Sequence, residues 1–152
     1  MFTELLARGQ ILVTAESCTG GMVAAAITDI AGSSAIFDRG FVTYSNVAKH
    51  DMLGVPNGLL ETHGAVSQAV AISMAQGALK NSKATIAISI TGIAGPTGGT
   101  EIKPVGLVHF CCSTAQQGDR HERMIFSGDR RQVRTAACNH ALTMILQILL
   151  LG

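Results

Sequence analysis

The sequence predicts an α/β domain: a three-layer α/β/α sandwich built on a mixed, mainly parallel sheet. Two observations predict it. Five short apolar or β-branched runs alternate with stretches of helical character, the order that lays helices on both faces of a sheet. The last two runs are joined by too few residues for a helical crossover, so they form an antiparallel hairpin and make the sheet mixed. A third observation sets the scale. The chain has 152 residues, 47% of them hydrophobic, enough for one domain with a real core, and no repeat, low-complexity tract or linker divides residues 1–152.

The elements follow in order. Residues 2–8 read as a short helix, 10–14 as the first strand and 20–31 as a helix of small residues, which Gly32, Ser33 and Ser34 break. Residues 37–43 read as a strand with a central Gly40. A helix follows over 44–54, ending on Gly54 as a C-cap, and Pro56, Asn57 and Gly58 are turn material. Residues 67–80 form a strong helix whose Val70, Met74 and Leu79 lie near one face and whose alanines predict close packing on a sheet. Residues 84–90 are almost all apolar and so read as a central strand buried on both faces. A long glycine-rich loop over 91–103 leads to a strand at 105–113, a polar turn at 115–119 and an edge strand at 121–126. The chain closes with a long helix over 129–150, opened by Asp129 and Gln132 at capping-box spacing.

Composition excludes several classes. Formal net charge is +1 and no basic stripe or tail is visible, which argues against a nucleic-acid binder. The N-terminus carries Glu4 in an amphipathic stretch and does not read as a signal peptide. The longest apolar run, Ala141 to Leu151, is interrupted by Thr143 and Gln147 and falls well short of the about 20 residues that span a bilayer. The expected location is cytoplasmic, with Cys18, Cys111, Cys112 and Cys138 reduced. Cys111 and Cys112 are adjacent on a strand and should face opposite ways. Only 14% of residues are charged, and the last helix is apolar on almost every side; both point to a homodimer or higher homo-oligomer.

Three stretches combine polar or glycine residues with strand ends, where ligands bind in open α/β sheets. In Glu16-Ser17-Cys18-Thr19-Gly20-Gly21 a strand turns into a helix, and Ser17 can serve as a nucleophile or merely as an N-cap. In Tyr44 through Lys49, a lysine with a lowered pKa can act as the base a serine needs, with Tyr44 relaying or orienting the proton; a solvated helix lysine is the plain alternative. The third is Thr91-Gly92-Ile93-Ala94-Gly95-Pro96, whose glycines let backbone N–H groups approach a phosphate or carboxamide. It matches neither the phosphate-loop nor the dinucleotide fingerprint. None of His50, His63, His109, His121 and His140 sits in a triad motif, and His109 reads as a satisfied histidine. Cys138 with His140 has no second ligand pair, so no metal site is expected. Cys18 reads as a buried structural thiol rather than a nucleophile. Arg130 and Arg131, in the first turn of the last helix, are badly placed for its dipole and could hold a phosphate or simply be solvated.

Taken together, "TAESCTGG", "FVTYSNVAKHDMLGV", "GIAGPTGGTEIKPVGLV" and "SGDRRQVR" resemble the CinA C-terminal domain family, in the family's order from about Leu6 to Leu149. Its stand-alone members include nicotinamide-nucleotide amidases. Its fused members carry a further N-terminal domain resembling molybdopterin-biosynthesis proteins, with no counterpart in this sequence. The resemblance implies a three-layer fold and an amidohydrolase that converts nicotinamide mononucleotide to nicotinic acid mononucleotide and ammonia, with no metal or organic cofactor. By motif, Ser17 is the nucleophile and Tyr44 and Lys49 its activating partners. Backbone N–H groups of Cys18, Thr19, Gly20 and Gly21 would hold the oxyanion, with Thr91, Gly92, Gly95 and Arg130 on the nucleotide side. His109 departs from the apolar or aromatic residue expected on its strand, a matter of packing rather than chemistry. Two other readings stay open: a non-catalytic nucleotide- or protein-binding module, and an amidase for a different amide.

Overall fold

The computed structural model describes residues 1–151. In chain order the elements are α1 (Phe2–Ala7), β1 (Leu12–Glu16), α2 (Met22–Thr28), β2 (Phe37–Val42), α3 (Asn46–Leu53), α4 (Asn57–His63), α5 (Gln68–Lys80), β3 (Ile86–Gly92), β4 (Leu107–Thr114), β5 (Gly118–Ile125) and α6 (Arg130–Leu151). The sheet runs β2-β1-β3-β4-β5. β1 lies parallel to both β2 and β3, whereas β4 is antiparallel to β3 and to β5. Only β4 therefore runs against the others, and the sheet is mixed and mainly parallel, as expected.

Strand alternation builds two cores. Ile86, Ile88 and Ile90 of β3 and Val108, Phe110 and Cys112 of β4 turn to one face, where α2 and α6 cover them. Val13, Ala15, Ala87 and Cys111 turn to the other, beneath α3, α4 and α5. The adjacent Cys111 and Cys112 thus enter opposite cores. The α5 face is lined with small residues, and α5 answers with buried Ala71, Ala75 and Ala78, so the helix lies close on the sheet. Where α5 crosses α3, a Cβ on Gly77 would stand 2.0 Å from the Leu53 carbonyl oxygen, so only glycine permits the approach.

Several boundaries differ from the sequence reading. α2 is shorter than 20–31 because Gly20 and Gly21 adopt φ of 59° and 103° and hold the turn ahead of it. α3 starts after Ser45, whose hydroxyl accepts from the Ala48 N–H, which leaves Tyr44 outside the helix. α4 was not expected: Pro56 and Gly58 read as a turn, yet Pro56 precedes a helix well and buried Leu60 docks it on the second core. β5 begins at Gly118, three residues early, because the 115–117 turn is tight. Asp129 and Gln132 exchange the expected capping bonds at 2.8 and 2.9 Å. α6 is long and apolar enough, by length and composition alone, to cross a membrane. Its Val133, Ala137, Ala141, Met144, Ile145 and Ile148 are buried in the first core, and its last residues Leu150 and Leu151 are exposed.

Candidate active site

The carboxyl ends of β1 and β3, with α3, the 93–98 loop and the start of α6, enclose a cleft of about 270 Å³. Ser17, Cys18, Tyr44, Lys49, Thr91 and Arg130 all line it, so three stretches far apart in sequence meet here. None of the five histidines does.

Ser17 lies one residue past the end of β1, where its N–H still donates to the Ile90 carbonyl at 2.9 Å. The chain then turns sharply. The carboxylate of Glu16, fully buried, accepts from the N–H groups of Gly21, Val23 and Ala24 at 3.0, 3.1 and 2.9 Å. Three orphan donors at the start of α2 are thus satisfied by one side chain, and the Ser17 hydroxyl is released from the capping role that the sequence left open. Arg134 of α6 fastens the turn from outside: Nε donates to the Cys18 carbonyl at 3.0 Å and Nη2 to the Thr19 carbonyl at 3.1 Å. Neither Glu16 nor Arg134 was singled out from sequence. The signals were an acid closing an otherwise apolar strand, and an arginine one helical turn after Arg130 on the same face.

Lys49 is 1% exposed, among the largest fully buried side chains of the described residues. Its Nζ stands 3.0 Å from Ser17 Oγ and donates to the Thr43 carbonyl at 2.8 Å. Among the described residues no carboxylate pairs with it. Burial pushes its ammonium from the usual 10.5 down to about 8, with a small opposing pull from Cys18. An amine so placed is half neutral near pH 8 and can accept a proton from the serine it touches. Burial likewise raises the Cys18 thiol to about 11, which keeps it protonated and poorly nucleophilic. Burial, and then the charges of His121 and Arg123, bring His109 down to about 4, and its Nδ1 meets His121 Nε2 at 2.9 Å, so it is a neutral, satisfied histidine. His140 pairs with Glu122 at 2.9 Å.

Tyr44 lines the cleft without touching the Ser–Lys pair. It is 63% exposed, and its hydroxyl accepts from Arg130 Nη2 at 2.9 Å. Ser17 and Lys49 are in direct contact without it. Arg130 Nη1 also donates to the Gly95 carbonyl at 2.8 Å, so one guanidinium bridges the glycine loop and Tyr44 at the cleft. Thr91 is buried and spends its hydroxyl proton on the Ala65 carbonyl at 2.9 Å. Gly92 is fixed by packing: a Cβ there would stand 2.7 Å from Val108 Cγ2 and 3.1 Å from Cys18 Sγ.

Two of the N–H groups expected to face an oxyanion already have partners. Gly21 N–H belongs to Glu16, and Gly20 N–H donates to the Ser17 carbonyl at 3.1 Å. Neither glycine is free to bind an oxyanion, and Thr19, Gly20 and Gly21 do not line the cleft. Among the described residues, the Cys18 and Thr19 N–H groups donate to no protein acceptor.

A three-layer α/β domain with a buried Ser–Lys pair at the strand ends, beside a glycine-rich cleft, is the class that fold and site define. The family model of the CinA C-terminal domain matches residues 1–149, and the chain belongs to that family. It is 57% identical to the nicotinamide-nucleotide amidohydrolase PncC of Escherichia coli over 143 residues, 94% of this chain and 87% of that protein. It is 51% identical to a putative competence-damage inducible protein of Symbiobacterium thermophilum, with 96% of this chain matched to 36% of that longer protein. Among solved structures, the competence/damage inducible protein CihA from Agrobacterium tumefaciens superposes with a TM-score of 0.93 at 49% identity, over 95% of this chain and 88% of that one.

Proposed function

We propose that this protein is a serine amidohydrolase that converts nicotinamide mononucleotide to nicotinic acid mononucleotide and ammonia, returning the nucleotide to NAD synthesis in the cytoplasm. The observation that carries the reading is the buried contact of Lys49 Nζ with Ser17 Oγ, in a chain more than half identical to an enzyme named for this reaction.

Neutral Lys49 accepts the Ser17 proton while Ser17 Oγ bonds to the carboxamide carbon and the carbonyl electron pair moves onto oxygen. The Thr43 carbonyl, still accepting from Nζ, keeps the amine's lone pair turned to the serine. When the tetrahedral intermediate collapses, the C–N bond breaks, Lys49 returns its proton to the leaving nitrogen, and ammonia departs. Water, deprotonated by the same amine, then cleaves the ester and restores Ser17. Arg130, bridging Tyr44 and Gly95 at the cleft, has N–H groups left to meet the nucleotide's phosphate. Gly92 and Gly95 keep the walls low enough for a flat ring. No step calls for a metal or organic cofactor. The exposed Leu150 and Leu151 support the expected homo-oligomer.

The test is ammonia release from nicotinamide mononucleotide by the purified protein, with Ser17→Ala alongside. Release by the parent, lost in the variant, is expected. A folded parent that releases none, or a Ser17→Ala variant of full activity, would overturn the reading.

A further inference from the structure

In the turn after Ser17 the Cys18 and Thr19 N–H groups and the buried Thr19 hydroxyl have no protein partner, and Arg134 holds the turn by its carbonyls. Its guanidinium edge takes two successive carbonyls, Cys18 and Thr19, at 3.0 and 3.1 Å. Among the described residues only the Gly95–Pro96 peptide is cis, so both peptides are trans. A planar trans peptide points its N–H opposite to its C=O. Fixing the Cys18 and Thr19 carbonyls on Arg134 therefore turns the Thr19 and Gly20 N–H groups away from the guanidinium. The Gly20 N–H closes onto the Ser17 carbonyl at 3.1 Å. That same bond orients the Ser17–Cys18 peptide and with it the Cys18 N–H. The Cys18 N–H is left with no protein acceptor, on a residue that lines the cleft. A rigid fork that grips two adjacent carbonyls is a task for arginine and not for lysine.

We propose that Arg134 is a positioning residue for the Ser17 centre: it holds the turn so that the Cys18 N–H, at the cleft beside Ser17, receives the oxyanion formed when Ser17 attacks. The inference rests on the amidase reading above and extends it to a residue on the last helix, more than a hundred positions away in sequence. Arg134 touches neither Ser17 nor Lys49 by hydrogen bond, and it is not among the causes of the Lys49 shift. Its loss should therefore leave the proton acceptor intact and damage only the stabilisation of developing negative charge.

The experiment compares the parent with Arg134→Lys and Arg134→Ala in two reactions. In the first, nicotinamide mononucleotide turnover, kcat should fall by about 10- to 100-fold in Arg134→Ala and less in Arg134→Lys, below the about 100- to 1000-fold loss that follows outright removal of an oxyanion donor, because the donor stays in the chain and is only no longer held. KM should change little, and the pH midpoint set by Lys49 should not move. Arg134 also lines a second cleft beside Met22 and Thr135, through which added guanidinium ion should reach the vacated place and restore part of kcat in Arg134→Ala. The second reaction is modification of Ser17 by phenylmethylsulfonyl fluoride, followed by mass spectrometry. Here Oγ bonds to sulfur, fluoride leaves, the proton passes to Lys49, and a sulfonyl oxygen takes the oxyanion's place. The rate should fall in the same order.

Variants that match the parent in both reactions would overturn the role of Arg134 and leave the amidase intact. So would variants that lose kcat only together with a shifted pH midpoint or lost folding, without guanidinium rescue. A parent that is sulfonylated at Ser17 but does not turn over the nucleotide would sink the substrate alone, and the sulfonylation rates would then decide the role of Arg134. A parent inert in both would overturn both.

Discussion

Replacing Lys49 by Met tests the least ordinary feature of the site, a lysine held without an anionic partner in the interior. Methionine keeps an unbranched chain of similar length and removes the charge. The displacement of the amine from 10.5 to about 8 means that folding a protonated Lys49 costs about 3 kcal/mol at neutral pH. Below about pH 8 both folded and unfolded chains hold the proton, so the whole cost is present. Between about 8 and 10.5 the unfolded chain still binds the proton and the folded chain does not, so parent stability rises with pH. Above 10.5 the cost is gone. The Met variant has no such dependence. Losing the donor to Ser17 Oγ and the Thr43 carbonyl costs it about 1–3 kcal/mol, but equally at every pH. Urea unfolding of both proteins at about pH 7 and about pH 9.5 should show the parent gaining about 2 kcal/mol on the variant. The variant should also be inactive at either pH. A stability difference that stays flat across this interval would refute the depressed amine, and with it the base assigned to Ser17.

Other outcomes follow from the same geometry. The kcat/KM profile should rise with pH to a plateau through a midpoint near 8, because the catalytic form is the neutral amine; a profile flat from pH 6 to 9 would contradict it. Cys18→Ala should keep kcat within about threefold and Cys18 should resist iodoacetamide at pH 8, since its thiol is buried and raised to about 11; inactivation by alkylation of Cys18 would count against the serine. Glu16→Gln should destabilise by about 1–3 kcal/mol and lower kcat, because an amide has one acceptor oxygen for three buried N–H groups; unchanged melting would refute the capping role.

The sequence reading went furthest where chemistry and local pattern coincide. Ser17 after an apolar run and Lys49 just past the strand at 37–43 could each be placed near a strand end, and the mixed sheet followed from one connection too short to cross over. Tyr44 was put in the same helix as Lys49, but the Ser45 cap excludes it and hands its hydroxyl to Arg130, 86 positions on. Gly20 and Gly21 were counted by motif with Cys18 and Thr19 as oxyanion donors; the buried Glu16 carboxylate takes the N–H of Gly21 and turn closure takes that of Gly20. Arg134 acts across a sequence separation of 116, a contact that no periodicity encodes. α4 was hidden because its turn-forming residues are overruled by the docking of Leu60. What escaped the sequence was tertiary competition for backbone donors, and that competition decides which N–H groups in the turn remain free.

The central claim, a covalent ester on Ser17, is tested most directly by acid-quenching the enzyme during turnover of nicotinamide mononucleotide and sequencing the modified peptide by mass spectrometry. The nicotinate-nucleotide acyl group should be found on Ser17 in the parent and on no residue in Ser17→Ala. Turnover with no adduct at any quench time, undiminished in Ser17→Ala, would contradict the account.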